Sequence, residues 1–245
     1  MSHRPQKYKN PPIQEAVCEI HLALPNPLTP EEISKIGPVW KAAYPNQQSV
    51  EEKVLRVEIA LGSSKTSEEP AGRKLVARSA DGRDIAQMAP LLLAVNRLPP
   101  YAGWDESFRS TIIERFGEAH SIFGFGGISN VVLRYINRIE LPEAPIVWDK
   151  WFKAGPPLPK SLDGDPQIFQ SHSQLQLSGG MTALINFGVL QGAPIPIVML
   201  DISVVFGATV PIEDLRSTLD KVHFPHNVLF ESYLTDSLRS IFHPI

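Results

Sequence analysis

The polar side chains with the greatest chemical potential stand at alternate positions of apolar stretches in this 245-residue chain. Successive side chains of a β-strand point to opposite faces, so alternate polar residues share one face of a sheet. The residues expected on that face are Glu15, Glu19, His21, Arg56, Glu58, Arg134, Arg138, Glu140, Gln170, His172, Gln174, Asp201 and Ser203. Guanidinium and carboxylate groups gathered on one surface can hold anions, bind a partner or transfer protons.

Three interpretations of this surface are open. The opening strands of the two halves of the chain are expected to be neighbours, which brings Glu15 and Glu19 near Arg134 and Arg138. In the first interpretation these residues form a ladder of ion pairs that keeps the face soluble, and each pair contributes less than about 1 kcal/mol to stability. Alternatively, the two arginines anchor an anion or a carboxylate, or the carboxylates take part in catalysis. The candidate ligand- or partner-binding residues are Arg134, Arg138, Glu19, His21, Arg56 and Asp201.

Signatures of the common catalytic, metal-binding and cofactor-binding classes are missing from the sequence. His223 and His226 flank Phe224-Pro225, where a helix is expected to break, so we interpret them as loop residues and not as metal ligands. The glycines of FGFGG at 123–127 lack the full dinucleotide fingerprint and precede a strand. The single cysteine, Cys18, lies among apolar residues and is predicted to be a buried structural thiol. We therefore predict no metal and no cofactor.

Composition limits the class of partner. A net charge of −3 argues against general polyanion binding, because phosphate contacts need clustered Lys and Arg. The first ten residues carry Arg4, Lys7 and Lys9 without an acidic residue, and we interpret them as a flexible tail. No stretch approaches the roughly 18 apolar residues of a membrane span, and the start is polar, so a cytoplasmic location is expected.

The first half of the chain combines strand and helix patterns. Strands are predicted at 15–24, 54–61, 74–79 and 85–98, with a flexible hairpin loop over 62–72. Thr29 before Pro30 predicts the start of one helix. The four-residue spacing of Trp104, Phe108 and Ile112 predicts a second helix that faces the core.

The second half repeats this order. Strands are predicted at 130–141, 168–177, 181–191 and 196–206, with a short tryptophan-containing segment at 146–153 in place of the first helix. Two stretches follow in which apolar residues have helical spacing. Each half thus reads β-α-β-β-β-α, as units 1–128 and 129–245 packed as one domain. We predict an α+β fold in which two tandem units form a curved antiparallel sheet with helices on one face, similar to TATA-binding-protein-like or helix-grip folds.

Four stretches together resemble a known family. They are NPPIQEAVCEI near the start, LPPYAGWDESF in the middle, RYINRIELP after it and LFESYLTDSLRSIF at the end. The combination resembles a sporadically distributed family of uncharacterised bacterial proteins of about this length. RYINRI and the terminal Phe-Glu…Thr-Asp helix are its most specific parts. The resemblance implies no catalytic residue, but patchy distribution is typical of accessory genes, including toxin–antitoxin and phage-defence loci.

The residues of these stretches have structural interpretations as well. Asn137 falls on the apolar side of its strand, so it must be hydrogen-bonded and is expected to tie a loop or helix end to the sheet. Tyr101 and Trp104 stand at a helix entry, where they are expected to staple the core or to form a ligand platform. Glu231, Thr235 and Asp236 lie opposite an apolar stripe, as a solvated face or a partner surface.

Three functions compete on the sequence alone. The leading hypothesis is a non-catalytic interaction or regulatory protein of an accessory bacterial system that works by protein–protein contact, with a protein partner or by self-association. The second is a sensor or enzyme that holds a small ligand in a cavity between sheet and helices, near Arg134, Arg138 and Glu19. Nucleic-acid binding is third, because the polar face mixes both signs of charge.

Overall fold

The computed structural model describes residues 6–60, 63–157, 169–190 and 195–245, and for residues 52–60, 63–71 and 190 it describes the backbone alone. The fold is α+β. In these ranges the strands are β1 (Ile13–Leu22), β2 (Asn46–Ala60), β3 (Ser63–Arg78), β4 (Asp84–Ala89), β5 (Leu92–Arg97), β6 (Ile128–Glu140), β7 (Gln170–Leu177), β8 (Met181–Leu190) and β9 (Ile197–Phe206). The helices are α1 (Pro30–Ser34), α2 (Ile36–Trp40), α3 (Arg109–Phe123), α4 (Trp148–Trp151), α5 (Leu215–Tyr233) and α6 (Asp236–Ile241).

All nine described strands belong to one open antiparallel sheet in the order β2-β3-β4-β5-β1-β6-β9-β8-β7. The two opening strands, β1 and β6, pair at its centre, as the sequence predicts. Their register sets Cys18 opposite Leu133 on one face and Val17 opposite Arg134 on the other. This central pairing decides which side chains are buried under helices and which are left outside.

The helices cover one face of the sheet. Apolar residues at alternate positions of β1 and β6, among them Cys18, Ile20 and Leu133, are fully buried in the main core. Helix α3 packs on β5, and α5 packs on β6 and β9, while α4 and α6 close a second cluster beyond them. Burial raises the pKa of the Cys18 thiol, which supports its prediction as a structural cysteine.

The first half contains one more strand than the sequence predicts. The stretch predicted as a single strand, 85–98, folds as β4 and β5, joined by a tight turn at Pro90 and Leu91. Apolar residues continue through this turn, so periodicity alone cannot mark it. The loop predicted over 62–72 is also wrong for residues 63–72, since their backbone forms part of β3 and pairs with β2.

Helix α5 continues through Pro225, where the sequence predicts a break. A proline inside a helix removes one hydrogen bond and costs about 3 kcal/mol. Leu219, Val222 and His226 nevertheless form one buried stripe across this point. Packing of that stripe on β6 and β9 offsets the local cost. His223 and His226 therefore lie in a helix, and their prediction as loop residues is wrong.

Residues 7–10, which the sequence assigns to a flexible tail, instead form a clasp with the C-terminal residues. The amide groups of Lys9 and Asn10 donate to the carbonyl oxygens of His243 and Phe242 at 2.9 and 3.0 Å. The Tyr8 ring meets Phe242 edge-on, and its hydroxyl donates to Glu231 Oε1 at 2.8 Å. The two ends of the described chain are thereby joined by side chains as well as backbone.

The terminal motif residues are mostly internal partners. Glu231 also accepts from Arg239 Nε at 2.8 Å, and the Thr235 hydroxyl donates to the Lys150 carbonyl oxygen at 2.6 Å. Thr235 in addition caps α6 by accepting from the Leu238 amide. Only Asp236 of this motif is fully exposed. Glu231 and Thr235 therefore have internal partners that position α6, and a partner-binding role for them stays a prediction.

Asn137 is buried and hydrogen-bonded, as predicted, but with a different partner. Its Nδ2 donates to the Leu200 carbonyl oxygen at 2.9 Å, so it joins β6 to β9 and not to a loop or helix end.

No described helix is long and apolar enough to cross a membrane.

Substitution of Tyr8 tests whether the clasp contributes to the stability of the fold. We expect Tyr8→Ala to lower the free energy of unfolding by about 2 kcal/mol, because the contacts of a half-buried ring and a hydrogen bond are lost. Tyr8→Phe should cost about 1 kcal/mol, since only the hydrogen bond is removed. Chemical denaturation measures both, with Lys9→Ala as the neighbouring control of negligible effect. An unchanged midpoint for Tyr8→Ala would restore the flexible-tail interpretation.

Candidate functional site

The face of the sheet opposite the helices is called here the open face. At its centre, the Arg134 guanidinium on β6 grips the Asp201 carboxylate on β9 with two parallel hydrogen bonds, Nε to Oδ1 at 2.8 Å and Nη2 to Oδ2 at 2.7 Å. Asn186 Nδ2 on β8 donates to Asp201 Oδ2 at 3.0 Å. The His172 Nδ1 on β7 lies 2.5 Å from Asn186 Oδ1. One arm of polar contacts therefore crosses four adjacent strands.

A second arm approaches the centre from the other side. Gln87 Nε2 on β4 donates to Asn96 Oδ1 on β5 at 3.0 Å, and Asn96 Nδ2 donates to Glu15 Oε1 on β1 at 2.7 Å. Glu15 and Arg134 stand on the neighbouring strands β1 and β6, where the negative charge of Glu15 raises the pKa of Arg134. We call the seven residues of both arms the polar row: Gln87, Asn96, Glu15, Arg134, Asp201, Asn186 and His172.

The polar row is partly sunk into the face. Asn96 and Asp201 are only 7% and 8% exposed although no described helix covers them, and Val17 between the arms is 8% exposed. The Arg134 side chain is 44% exposed, and His172 at the outer end is exposed. The centre of the open face therefore offers an accessible guanidinium above a floor of shielded polar groups. Such groups hold fixed positions because their hydrogen bonds restrict their rotamers.

The electrostatics of the site favour the ionised forms. The hydrogen bonds from Arg134 to Asp201 raise the pKa of the guanidinium, and burial opposes this effect. The neighbouring His21 lowers the pKa of Glu19, helped by the charge of Arg134. The Glu19 carboxylate is therefore a poor proton donor at neutral pH, and it presents negative charge to a partner.

The structure brings most of the predicted site residues onto this face. Glu19, His21, Arg134, Arg138 and Asp201 all lie on it, as their registers show. The ion pairs differ from the predicted ladder, however. Arg134 binds Asp201 instead of Glu15 or Glu19, and Arg138 pairs with Glu140 of its own strand.

Arg56 lies on β2, where its backbone pairs with Ser67. Its side chain lies outside the described residues.

Sequence reasoning missed Gln87, Asn96 and Asn186, which supply the links between charged residues. Gln87 and Asn96 belong to the stretch predicted as one strand, so their common face could not be deduced without the turn between β4 and β5. Asn186 shares a face with Leu184 on β8, and alternation along that strand would have assigned it to the open face.

The other side of the sheet holds a buried aromatic cluster where a ligand cavity was predicted. The hydroxyl groups of Tyr101 and Tyr135 are 2.8 Å apart, and burial raises the pKa of both. Trp104 stacks on His223 with ring centroids 4.2 Å apart and donates from Nε1 to Asp220. These contacts are those of a core staple, which was one of the two interpretations of Tyr101 and Trp104.

His226 lies beneath the same cluster and is nearly fully buried. Its Nε2 is 3.2 Å from the Ile202 carbonyl oxygen, to which it donates as a neutral ring, and its Nδ1 has no partner among the described residues. Burial lowers the pKa of His226 to about 3 and that of His223 to about 4. Both rings are therefore neutral at physiological pH.

Among the described residues, no group of three or more His, Cys, Asp or Glu side chains is placed to hold a metal ion. Comparison of the chain with models of known protein families gives no match, and comparison with curated proteins gives none either. Function is therefore inferred from the geometry of the open face.

A double-mutant cycle tests whether the centre of the polar row is held rigidly. We expect Arg134→Ala and Asp201→Ala to be coupled by about 1 kcal/mol in the free energy of unfolding, because the contact is bidentate and its acid is mostly shielded. The exposed pair Arg138→Ala and Glu140→Ala is the matched control, with coupling below about 0.3 kcal/mol. Equal coupling in the two cycles would show that Arg134 and Asp201 form an ordinary surface ion pair.

The buried histidines predict a specific pH dependence of stability. Their folded pKa values lie below the ordinary value of 6.5, so the unfolded chain binds protons first as the pH falls. Stability should therefore be unaffected above pH 7 and fall between pH 6.5 and 5 by about 1.4 kcal/mol per pH unit for each histidine. The carboxylates Asp105, Asp201 and Asp220 near these rings oppose the effect only partly.

Denaturation curves between pH 7.5 and 5 measure this slope. His226→Gln should remove about half of this slope, because one of the two buried rings is lost. A wild-type curve that is flat across this interval would contradict the burial of neutral rings.

Proposed function

We propose that this chain is a non-catalytic interaction or regulatory protein of an accessory bacterial system, such as a toxin–antitoxin or phage-defence locus, and that it binds a protein partner through the open face. The observation that carries the proposal is the polar row, whose two hydrogen-bonded arms together span seven strands of the sheet. The accessory setting comes from the sequence resemblance alone.

The arrangement of charge supports a protein partner over a nucleic acid. Two open-face arginines are matched to an acid, Arg134 to Asp201 and Arg138 to Glu140, and Glu15 and Glu19 add further negative charge. A phosphate backbone needs a continuous basic surface to displace its counterions. Mixed, hydrogen-bonded groups with intermittent apolar residues are instead usual in protein–protein interfaces.

Preorganisation supports binding as the role of these groups. Ordering flexible side chains costs about 0.5–1.5 kcal/mol for each one immobilised on association. In the polar row this ordering is completed within the folded chain, because each side chain has a partner on a neighbouring strand. A partner that meets Arg134, Asn186 and His172 therefore avoids much of that cost.

The small-ligand alternative has less support. Its predicted cavity between sheet and helices coincides with the packing of Trp104, Phe108 and Tyr135, which are all buried. The predicted anchors, Arg134 and Arg138, point to the opposite face. A ligand would have to be bound on the open face itself, where Arg134 already holds Asp201.

The finer fold is also part of this proposal. We interpret the sheet as two tandem units in the manner of TATA-binding-protein-like or helix-grip folds, since each half places its opening strand at the centre and its last strand beside it. The first unit then has four strands after its first helices and the second has three. This interpretation is supported by strand order and leaves one long face for a partner.

Affinity purification from the native host tests the proposal. Tagged protein should retain a stoichiometric protein partner, identified by native mass spectrometry of the intact complex. Leu184→Asp on the open face should reduce the recovered partner at least about tenfold, since it adds an unpaired charge to the contact. Val39→Asp is the matched control, because Val39 is similarly exposed, 46% against 41%, but lies on α2.

The outcomes separate the competing functions. A partner lost with Leu184→Asp and retained with Val39→Asp supports the proposal. Purification of the chain without any protein partner would overturn it. A lone chain that carries additional small-molecule mass would favour the ligand alternative.

A further inference from the structure

The outer edge of the sheet at β7 has backbone groups that are directed away from the fold. The Val189 amide donates to the Phe169 carbonyl oxygen at 2.9 Å, which makes 169 and 189 a hydrogen-bonded pair of the antiparallel ladder. Such pairs alternate with non-bonded ones, and Gln170 stands opposite Gly188. It follows that Gln170, His172, Gln174 and Gln176 direct their N–H and C=O groups outward. In the described part of the chain, β7 has β8 as its only neighbour.

The two edges of the sheet differ in how they are protected. Charged residues, prolines and bulges discourage edge strands from pairing with other chains. The sequence of β2 at one edge contains the charged residues Glu51, Glu52, Lys53, Arg56 and Glu58, and its ladder has a register shift beside Glu52. The sequence of β7, QSHSQLQL, contains no Lys, Arg, Asp, Glu or Pro. Only β2 therefore carries the usual protection.

We propose that β7 pairs antiparallel with β7 of a second copy of this chain, which joins the two sheets about a two-fold axis. A strand without charge brings no like charges together when it meets its own copy, whatever the register. Its glutamine amides can both donate and accept hydrogen bonds, so they complement one another across a two-fold axis. A charged peptide would find no complementary charge on β7.

Exposed apolar side chains beside this edge also support strand pairing at β7. Leu175 of β7 and Leu184 of β8 are both more than 40% exposed, one on each face of the sheet. Addition of a strand along β7 would cover part of Leu175, while the backbone groups of the four outward residues found partners. Closed two-fold pairs are also the commonest protein assemblies. This inference is independent of the partner proposed for the open face.

Light scattering of the purified full-length protein over a concentration series tests the pairing. The wild type should have the mass of two chains at micromolar concentration. Gln174→Lys should shift it to one chain, with a dissociation constant raised at least about tenfold, because two lysine side chains are brought together at the joined edge. The matched control is Gln48→Lys on β2, where the glutamine is also exposed, and this variant should remain a dimer.

Amide exchange gives a second readout that needs no variant. By NMR, the His172 and Gln174 amides should exchange slowly when the protein is concentrated and at least about tenfold faster when it is dilute. The Ser173 and Leu175 amides, which face β8, should be protected in both samples.

Three results would overturn the proposal. They are a wild type with the mass of one chain throughout the series, a dimer that persists unchanged in Gln174→Lys, and outward amides whose exchange ignores concentration. If Gln174→Lys fails to fold, as circular dichroism would show, amide exchange of the wild type alone decides.

Discussion

The pairing of β1 with β6 is the contact on which the rest of the structure depends. Both strands stand at the centre of the sheet, and each carries the neighbouring strands of its own half of the chain. Their register sets Cys18 against Leu133 under the helices and Val17 against Arg134 on the open face. Because side chains alternate with a period of two, a slip of one residue would move Arg134 into the core. The cost of burying that charge makes the core and the polar row depend on the same register.

The polar row shows how a face that no described helix covers can still be ordered. Ion pairs on an open surface usually add little stability, because water and salt screen them. Here the two oxygens of Asp201 receive three hydrogen bonds, and the side chains that donate them lie on the two adjacent strands. The carboxylate is shielded while the guanidinium above it is accessible. We interpret the main effect of this network as the orientation of surface side chains, and its contribution to the free energy of unfolding as small.

Sequence periodicity predicted the elements that alternate cleanly. The strands β1, β6, β8 and β9 and the capped start of α1 could be located because one side of each pattern is apolar and the other polar. The central neighbours followed from the similar order of elements in the two halves. A turn inside an apolar stretch, as at Pro90, gives no such signal, and a helix that continues through Pro225 gives a misleading one.

The candidate site was predictable only in part, for a related reason. Alternation indicates which face a residue occupies, so Arg134, Asp201 and Glu19 could be assigned to the open face. It does not indicate which strands are neighbours beyond the central pair, and hydrogen-bond partners depend on that order. Asp201 is bound to Arg134 because β9 returns beside β6, and the sequence between them contains β7 and β8. The clasp at Tyr8 was missed likewise, since it joins residues at opposite ends of the chain.

The open face and the β7 edge meet at His172, which ends the polar row and also directs its backbone outward. Antiparallel pairing of β7 with its own copy sets the two-fold axis perpendicular to the sheet, because rotation about this axis reverses the strand direction and keeps each face on its own side. Both open faces then lie on one side, and the two polar rows lie end to end along one continuous sheet. In this arrangement a repeated or symmetric partner could engage both rows at once, and the second contact would form at high effective concentration. The chain would then bind such a partner far more tightly than either face alone, without any further contact on a single copy.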